Sequence, residues 1–373
     1  MKELIKHLLR EGILLEIDWG KNFSDVSKKA MTHDETKVYL KSVIGNCQMK
    51  PQDREKLALD KPYVHNKKIP TFDDGDIDLE SFITNITNSP KEILSQNAKM
   101  DKSSGENSIS LNIGIPALRG LVYDIDENMF YIVNTCPGAG SCAIICYARK
   151  GSYVLFPDVF VKQTRVLNML LNYPERFEKV LKIELEAFCL KNPNKEIQMR
   201  WNDAGDFFTK TYFEIASRIT KTLKSEGYNI KSYAYTKMGN LINLGDTDLT
   251  LNFSDDANKK QTGMVKDLSG AKKSVIVDKK VFDDLLVKDV KGKHYEVDAK
   301  GKVIFKNGDG GIKELKARLG KIYNVDPSTI VTYDELKRTP KGDNIYNVIV
   351  MPKGDGDIGA QRSDVKISFL LYH

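Results

Sequence analysis

No apolar run in the 373-residue chain approaches membrane-spanning length, and residues 1–16 carry too many charges to form the core of a signal peptide. These absences exclude an integral helical membrane protein and make a cytoplasmic protein the expectation. Cysteine is scarce, five residues in all, which excludes a disulfide-stapled scaffold. In a reducing compartment any clustered cysteines then read as ligands or reactive thiols. Charge of one sign is not in strong excess either. The 57 Lys and Arg residues against 51 Asp and Glu leave +6, which permits contact with a polyanion without arguing for one. Ala and Arg are sparse beside Lys and Asn, a mark of nucleotide bias rather than of function. There is no internal repeat and no low-complexity tract. The 41% apolar and 29% charged residues suit one large α/β domain with insertions, or two domains.

What the chain does have is a concentration of sulfur. Residues 134–153 read N-T-C-P-G-A-G-S-C-A-I-I-C-Y-A-R-K-G-S-Y and place Cys136, Cys142 and Cys146 within eleven residues. Thiolates take soft metal ions, and a Pro-Gly-Ala-Gly-Ser loop is pliable enough to bring three sulfurs around one centre. Three protein ligands leave one coordination position open. That is the pattern of a catalytic metal or of a cluster with one free iron, whereas a structural zinc site normally closes with four. Cys47 and His65 stand alone and read as a packed thiol and a surface imidazole. Cys189 lies beside a helical apolar stripe and is expected to be buried.

Along the chain, residues 1–108 read as an irregular arm with a few helices, one of them carried by Leu4, Ile5, Leu8 and Leu9 before Gly12. The polar stretch 100–107 is a boundary. Leu121-Val122-Tyr123 and residues 130–133 are strand-like, and the second runs directly into Cys136, as the first unit of an α/β barrel or layered sheet would. Helices are expected over 161–172 and from Pro174 onward, the latter with a stripe of Phe177, Val180, Leu181, Leu185 and Phe188. Strands follow at 197–201, 230–235, 249–253 and 274–277, with a helix stopping at Gly227. Polar residues collect at their carboxyl ends, the edge that carries the site in parallel α/β folds. Residues 278–342 look like an inserted α+β subdomain: a hairpin over 294–305, a Gly-rich joint at 307–311 and a basic helix over 312–319. Strand character returns at 348–350 and 365–372, around a loop bearing Asp355, Asp357, Arg362 and Asp364. The expected fold is thus α/β, a partial or modified (β/α) barrel over 109–277 and 343–373.

C-P-G-A followed by C-Y-A and K-G-S-Y, then R-W-N-D-A-G-D and Y-T-K, resembles the gene-product-eighty-eight-like family encoded by phages. The closing D-I-G-A-Q-R-S-D-V-K with His373 resembles a branch of it. This resemblance covers residues 111–253 and the last thirty, implies a phage or prophage origin in an infected host cell, and groups the three cysteines with Asp203, Gly205 and Asp206 in one site. More distantly, three cysteines after a strand resemble radical S-adenosylmethionine enzymes. The spacing here is C-x5-C-x3-C instead of C-x3-C-x2-C, and no Gly-Gly-Glu is present. On that likeness the cysteines hold a [4Fe-4S] cluster whose fourth iron is open to S-adenosylmethionine. Amides of Gly138, Gly140 and Ser141 reach the cluster sulfurs, Tyr147 and Trp201 cover it, Asp203, Gly205 and Asp206 face the open position, and Lys237 is a charge partner. The substrate expected is a nucleotide or nucleic acid.

Other readings stay open. His373 completes a Cys3His zinc site in one of them. In another, a catalytic zinc with Asp206 as general base modifies a nucleobase. In a third the chain is a non-enzymatic protein that binds nucleic acid or a host protein through the insertion. D-A-G-D also suits a helix cap made by Asp206 or Thr209, Lys237 suits plain surface charge, and the Asp355/Asp357/Arg362/Asp364 loop suits either a salt-bridged turn or a substrate clamp. Serine in place of Cys136, Cys142 or Cys146 is expected to remove most of the bound metal, and Cys47→Ser and Cys189→Ser to retain it. Metal content per variant is the measurement, and equal loss from all five overturns the ligand assignment.

Overall fold

Two sheets of opposite character organise the chain. The computed structural model describes residues 26–47, 69–90, 92–96, 107–149, 153, 156–244, 248–277, 295–297, 303–305, 311–351 and 355–371. The helix expected at 4–9, His65, the joint at 307–310 and His373 lie outside these residues, as does the side chain of Cys47.

The first sheet is antiparallel. Strand β1 (Lys28–Met31) leads into helix α1 (His33–Cys47), where Thr32 and Glu35 exchange side-chain bonds with each other's amides. Helix α2 (Leu79–Thr87) starts on Asp78, whose carboxylate accepts the Ser81 N–H. After β2 (Ser108–Asn112) comes the hairpin β3 (Gly120–Asp124) and β4 (Met129–Val133), and the sheet order is β1-β4-β3. Next are the short α3 (Cys142–Ile145) and two long helices, α4 (Pro157–Asn172) and α5 (Pro174–Lys191). Each long helix has proline in its first turn, where the missing N–H costs nothing. Leu40, Phe82, Ile86, Leu121, Phe130 and Val161 form one cluster between α1, α2, α4 and this sheet. The described part of the arm is therefore a packed layer on the hairpin. Fully burying each of these side chains contributes roughly 1.5–3 kcal/mol.

The second sheet is parallel throughout. It takes β5 (Glu196–Trp201), then α6 (Lys210–Ser225), β6 (Ile230–Thr236), α7 (Gly239–Ile242), β7 (Leu249–Ser254), α8 (Lys259–Met264) and β8 (Lys273–Val277). Thr209 caps α6 by accepting the Tyr212 N–H, and Gly227, with φ +86°, ends it. A separate antiparallel pair, β9 (Tyr295–Val297) and β10 (Val303–Phe305), matches the expected hairpin. Then come α9 (Gly311–Tyr323), β11 (Ile330–Thr332), α10 (Tyr333–Arg338), β12 (Tyr346–Val350), α11 (Ile358–Gln361) and β13 (Val365–Leu371).

The order across the eight strands is β2-β5-β6-β7-β8-β13-β12-β11. From β2 to β8 each new strand joins the same side. The chain then jumps to the far edge and returns through β11 and β12 to place β13 beside β8. The barrel expected from sequence would add every strand next to the last, so this order departs from it. Among the described residues the two end strands β2 and β11 are unpaired with each other. A reversal of strand order makes the β8/β13 boundary a topological switch point, where open parallel sheets hold ligands beyond their carboxyl ends.

Two further expectations change. Strand β4, which feeds the cysteine loop, belongs to the antiparallel sheet, and the parallel sheet begins at β2. The short turn between β3 and β4 favours antiparallel pairing, which a β4-to-helix reading overlooked, although β3 is buried along its whole length. The second half of the expected insertion also continues the main sheet: β11 pairs with β12, while Leu315 and Leu319 of α9 pack with Val275, Ile349 and Phe369. No helix among the described residues is long and apolar enough to cross a membrane.

Helix α4 is tied to β3 through Asn168, which is 1% exposed. Its Oδ1 accepts the Tyr123 N–H at 2.9 Å and its Nδ2 donates to the Leu121 carbonyl at 3.0 Å. Asn168→Ala leaves two buried backbone groups of β3 unpaired, and a loss of about 2–4 kcal/mol is expected, read as a lower denaturant midpoint at unchanged slope.

Candidate functional site

The loop after β4 docks on the carboxyl ends of β6 and β7. Two glycines permit this. A Cβ on Gly138 would lie 2.5 Å from the Lys237 carbonyl oxygen, and one on Gly140 would lie 2.1 Å from that of Asp256. Asn258 fixes the loop from below, its N–H donating to the Gly138 carbonyl at 2.9 Å and its Nδ2 to the Pro137 carbonyl at 2.9 Å. Ala139 and Ala257 form an antiparallel bridge, and the Cys142 N–H donates to Asp256 Oδ2 at 3.1 Å. Gly138, Gly140 and Ser141 are not among the residues that line the cavity described below; the two glycines let the loop dock.

Asp206 is the second anchor. The carboxylate is 3% exposed and accepts the Phe207 N–H at 2.7 Å, the Thr236 hydroxyl at 2.7 Å and the Lys237 N–H at 2.8 Å, while its own N–H donates to the Thr135 carbonyl at 3.0 Å. Burial pushes its pKa up, against the lowering effect of those donors and the Lys237 charge. Asp206 thus ties the β5 loop to β6 and to the start of the cysteine loop. Capping of the next helix falls to Thr209. Gly205, with φ +81°, has the Ile115 side chain 2.3 Å from where its Cβ would be, so only glycine lets these two loops approach.

All three cysteines open into one cavity of about 400 Å³, together with Asp203, Gly205, Asp206 and Lys237. The sequence-derived group is therefore brought together, Lys237 included. The cavity lies over the strand ends, reaching from β5 and β6 to Ile276 of β8 and Leu370 of β13, across the switch point. The cysteines are free thiols. Cys136 Sγ accepts the N–H of Leu118 at 3.4 Å, and Leu118 adopts φ +65°, a left-handed conformation unusual for a leucine. Burial, then the Asp206 charge, pushes the Cys136 thiol up to about 12. Burial pushes Cys142 up to about 11 against the opposing Lys237 ammonium. Lys237 pairs with Asp256 Oδ1 at 3.4 Å; burial opposes its charge, but Asp256, Cys142 and Asp206 outweigh that and raise its pKa.

Across from the sulfurs lies a network that the sequence reading missed. Arg200 Nη1 bonds Asp357 Oδ2 at 2.7 Å and lies 3.6 Å from Asp203 Oδ1. Tyr233 and Tyr235 donate hydroxyls to Asp357 at 3.1 and 3.4 Å, Tyr153 donates to Asp203 Oδ2 at 2.6 Å, and the Tyr147 hydroxyl donates to the Asp203 carbonyl. Burial opposes the Arg200 charge, yet Asp357 and Asp203 hold its pKa well above the ordinary value. A signal was present: Tyr233 and Tyr235 alternate on β6, as Gln198, Arg200 and Asn202 do from β5, so each strand turns polar groups to one face near its carboxyl end. The last loop divides its roles. Asp355 and Asp357 line the cavity, whereas Arg362 pairs with Asp364 at 2.6 Å and donates to the Leu336 and Thr339 carbonyls as a structural turn. Trp201 does not reach the cavity; it is fully buried against Phe207 and Tyr212. Tyr147 does, with 45% of its surface exposed. Cys189 lies in the main core, 5% exposed.

Residues 91–311 match the family model described as Gene product 88, more than half of the chain. The chain belongs to the Gene product 88 family. The match takes in the cysteine loop, D-A-G-D and Lys237, and it also enters the expected insertion. It stops before β11–β13, so the Asp355, Asp357 and Leu370 side of the cavity in this Gene product 88 protein comes from beyond the matched segment. No curated protein and no solved structure matches the chain. The likeness to radical S-adenosylmethionine enzymes accordingly rests on the cysteine pattern alone.

Gly138→Ala and Gly140→Ala are expected to push the loop off the β6 and β7 ends at a cost of about 1–3 kcal/mol. Gly263→Ala, with nothing within 4 Å of its Cβ position, is expected to be harmless. Thermal unfolding of the three variants decides it, and equal midpoints would remove the docking role of the two loop glycines.

Proposed function

We propose that this Gene product 88 protein is an enzyme whose cofactor is an iron–sulfur cluster held by Cys136, Cys142 and Cys146, with one iron left open to the cavity. The observation that carries the proposal is the opening of three thiols of one docked loop into a single cavity that also holds Asp203, Arg200 and Asp357. Among the described residues no group of three His, Cys, Asp or Glu side chains is arranged to hold a single metal ion. A lone zinc draws its sulfurs to about 2.3 Å and hence close to each other. A multi-iron cluster instead binds each sulfur to a different iron, and the iron and sulfide content of the protein separates the two.

When bound, such a cluster supplies an electron-transferring, Lewis-acidic iron next to the substrate. The chain's own residues would do the rest. Lys237 and the Leu118 N–H offset negative charge on the sulfurs. Tyr147 shields the cavity mouth, and the Asp203–Arg200–Asp357 set orients a bound molecule. S-adenosylmethionine is the candidate for the open position. The nucleotide or nucleic-acid substrate expected from phage origin together with basic charge draws no support from the cavity, because both described cations lining it, Arg200 and Lys237, are engaged by aspartates.

Anaerobic purification is expected to give coloured protein with about four irons and matching acid-labile sulfide per chain. Zinc without sulfide overturns the proposal. Reduction with added S-adenosylmethionine tests the cofactor separately, since an intact cluster that leaves it uncleaved removes only that assignment.

A further inference from the structure

The cavity carries information about its ligand that is independent of the metal. Three side chains on its lining bear a buried polar group without a hydrogen-bond partner: Arg200 at Nε, Asn202 at Nδ2 and Ser274 at Oγ. Their residues are 8%, 4% and 3% exposed. Leaving a buried donor unmatched costs about 1–3 kcal/mol, so such groups call for an acceptor. Asn202 adds a second sign. It holds φ +59° directly after β5, and its Oδ1 is already taken by the Tyr212 hydroxyl at 2.8 Å, which turns its amide NH2 into the spare group.

The charges indicate what the acceptor is not. Phosphate binding needs a cation whose charge is not already neutralised by carboxylates. Arg200 is held by Asp357 and Asp203, and Lys237 by Asp256. The carboxylates of Asp203, Asp206, Asp355 and Asp357 on the same lining would repel a dianion. The far wall, with Ile276, Val350, Met351 and Leu370, is apolar, and the Tyr235 ring faces the Arg200 guanidinium at 5.2 Å. A volume of about 400 Å³ suits a small organic molecule.

Resting on the reading of this cavity as the substrate site, we infer that its ligand is a phosphate-free nucleoside, whose base carbonyl or ring-nitrogen acceptors meet Arg200 and Asn202 while the ring lies on the apolar wall. Amide and carboxylate side chains read base edges by complementary hydrogen bonds, and apolar or aromatic walls take the ring faces, which is the combination present here.

The test uses the full chain as purified, with its iron content recorded first. Adenosine, guanosine, cytidine and uridine, their 5′-monophosphates, and inorganic phosphate are titrated by calorimetry. At least one nucleoside is expected to bind, with its monophosphate at least about tenfold weaker and no response to phosphate. Asn202→Asp keeps the acceptor for Tyr212 and tolerates the left-handed backbone but removes the donor, and it is expected to weaken that nucleoside about tenfold. Ser274→Ala, a milder change, serves if Asn202→Asp lowers the unfolding temperature; about a threefold loss is then expected. Absence of binding by all four nucleosides, a monophosphate that binds as well as its nucleoside, or a folded variant with unchanged affinity overturns the inference. Iron-free protein that prefers a nucleoside sinks the cluster and spares this inference, whereas iron-loaded protein that prefers phosphate does the reverse.

Discussion

The buried carboxylate of Asp206 is the constraint on which the site depends. An ion taken out of water must recover its solvation from fixed donors, and Asp206 has three: an amide of its own loop, a hydroxyl of β6 and the amide of Lys237. Those donors come from different segments, so satisfying one charge fixes the relative position of the β5 loop, the end of β6 and, through the Thr135 carbonyl, the first residues of the cysteine loop. The glycines of that loop then allow backbone to meet backbone at Lys237 and Asp256. The thiols reach a common cavity because a carboxylate beside them could not be left bare.

The cavity has two faces of different chemistry. On the β6–β7 side are sulfur, a buried ammonium and the Leu118 amide, groups that respond to negative charge on the sulfurs. On the other side is an arginine neutralised by two aspartates and surrounded by tyrosine hydroxyls. Buried ion pairs of this kind add little net stability, since desolvation offsets their attraction, but they hold direction well. Arg200, Asp203 and Asp357 are best understood as a rigid polar floor. The switch in strand order at β8 and β13 leaves the opening above which this floor and the sulfurs face each other.

The site was legible in sequence where its members are neighbours in the chain. Cys136, Cys142 and Cys146 share one loop, and Asp203, Gly205 and Asp206 share another; period and capping signals placed β5 to β8 and α4 to α6 within a residue or two at most ends. Arg200 and Asp357 were not legible as a pair, being 157 residues apart. Trp201 was assigned to the site because it adjoins it in sequence, but successive residues of a strand face opposite sides, and Trp201 faces the core.

Local sequence determined that this is an α/β protein with a thiol-rich loop, because helix and strand periods, caps and cysteine spacing are short-range properties of the chain. Tertiary structure alone decided that β4 leaves the main sheet, that β13 enters between β8 and β12, and that the final loop completes a cavity begun more than two hundred residues earlier. Strand order is set by which buried faces find each other once loops close, and no window of sequence contains both partners.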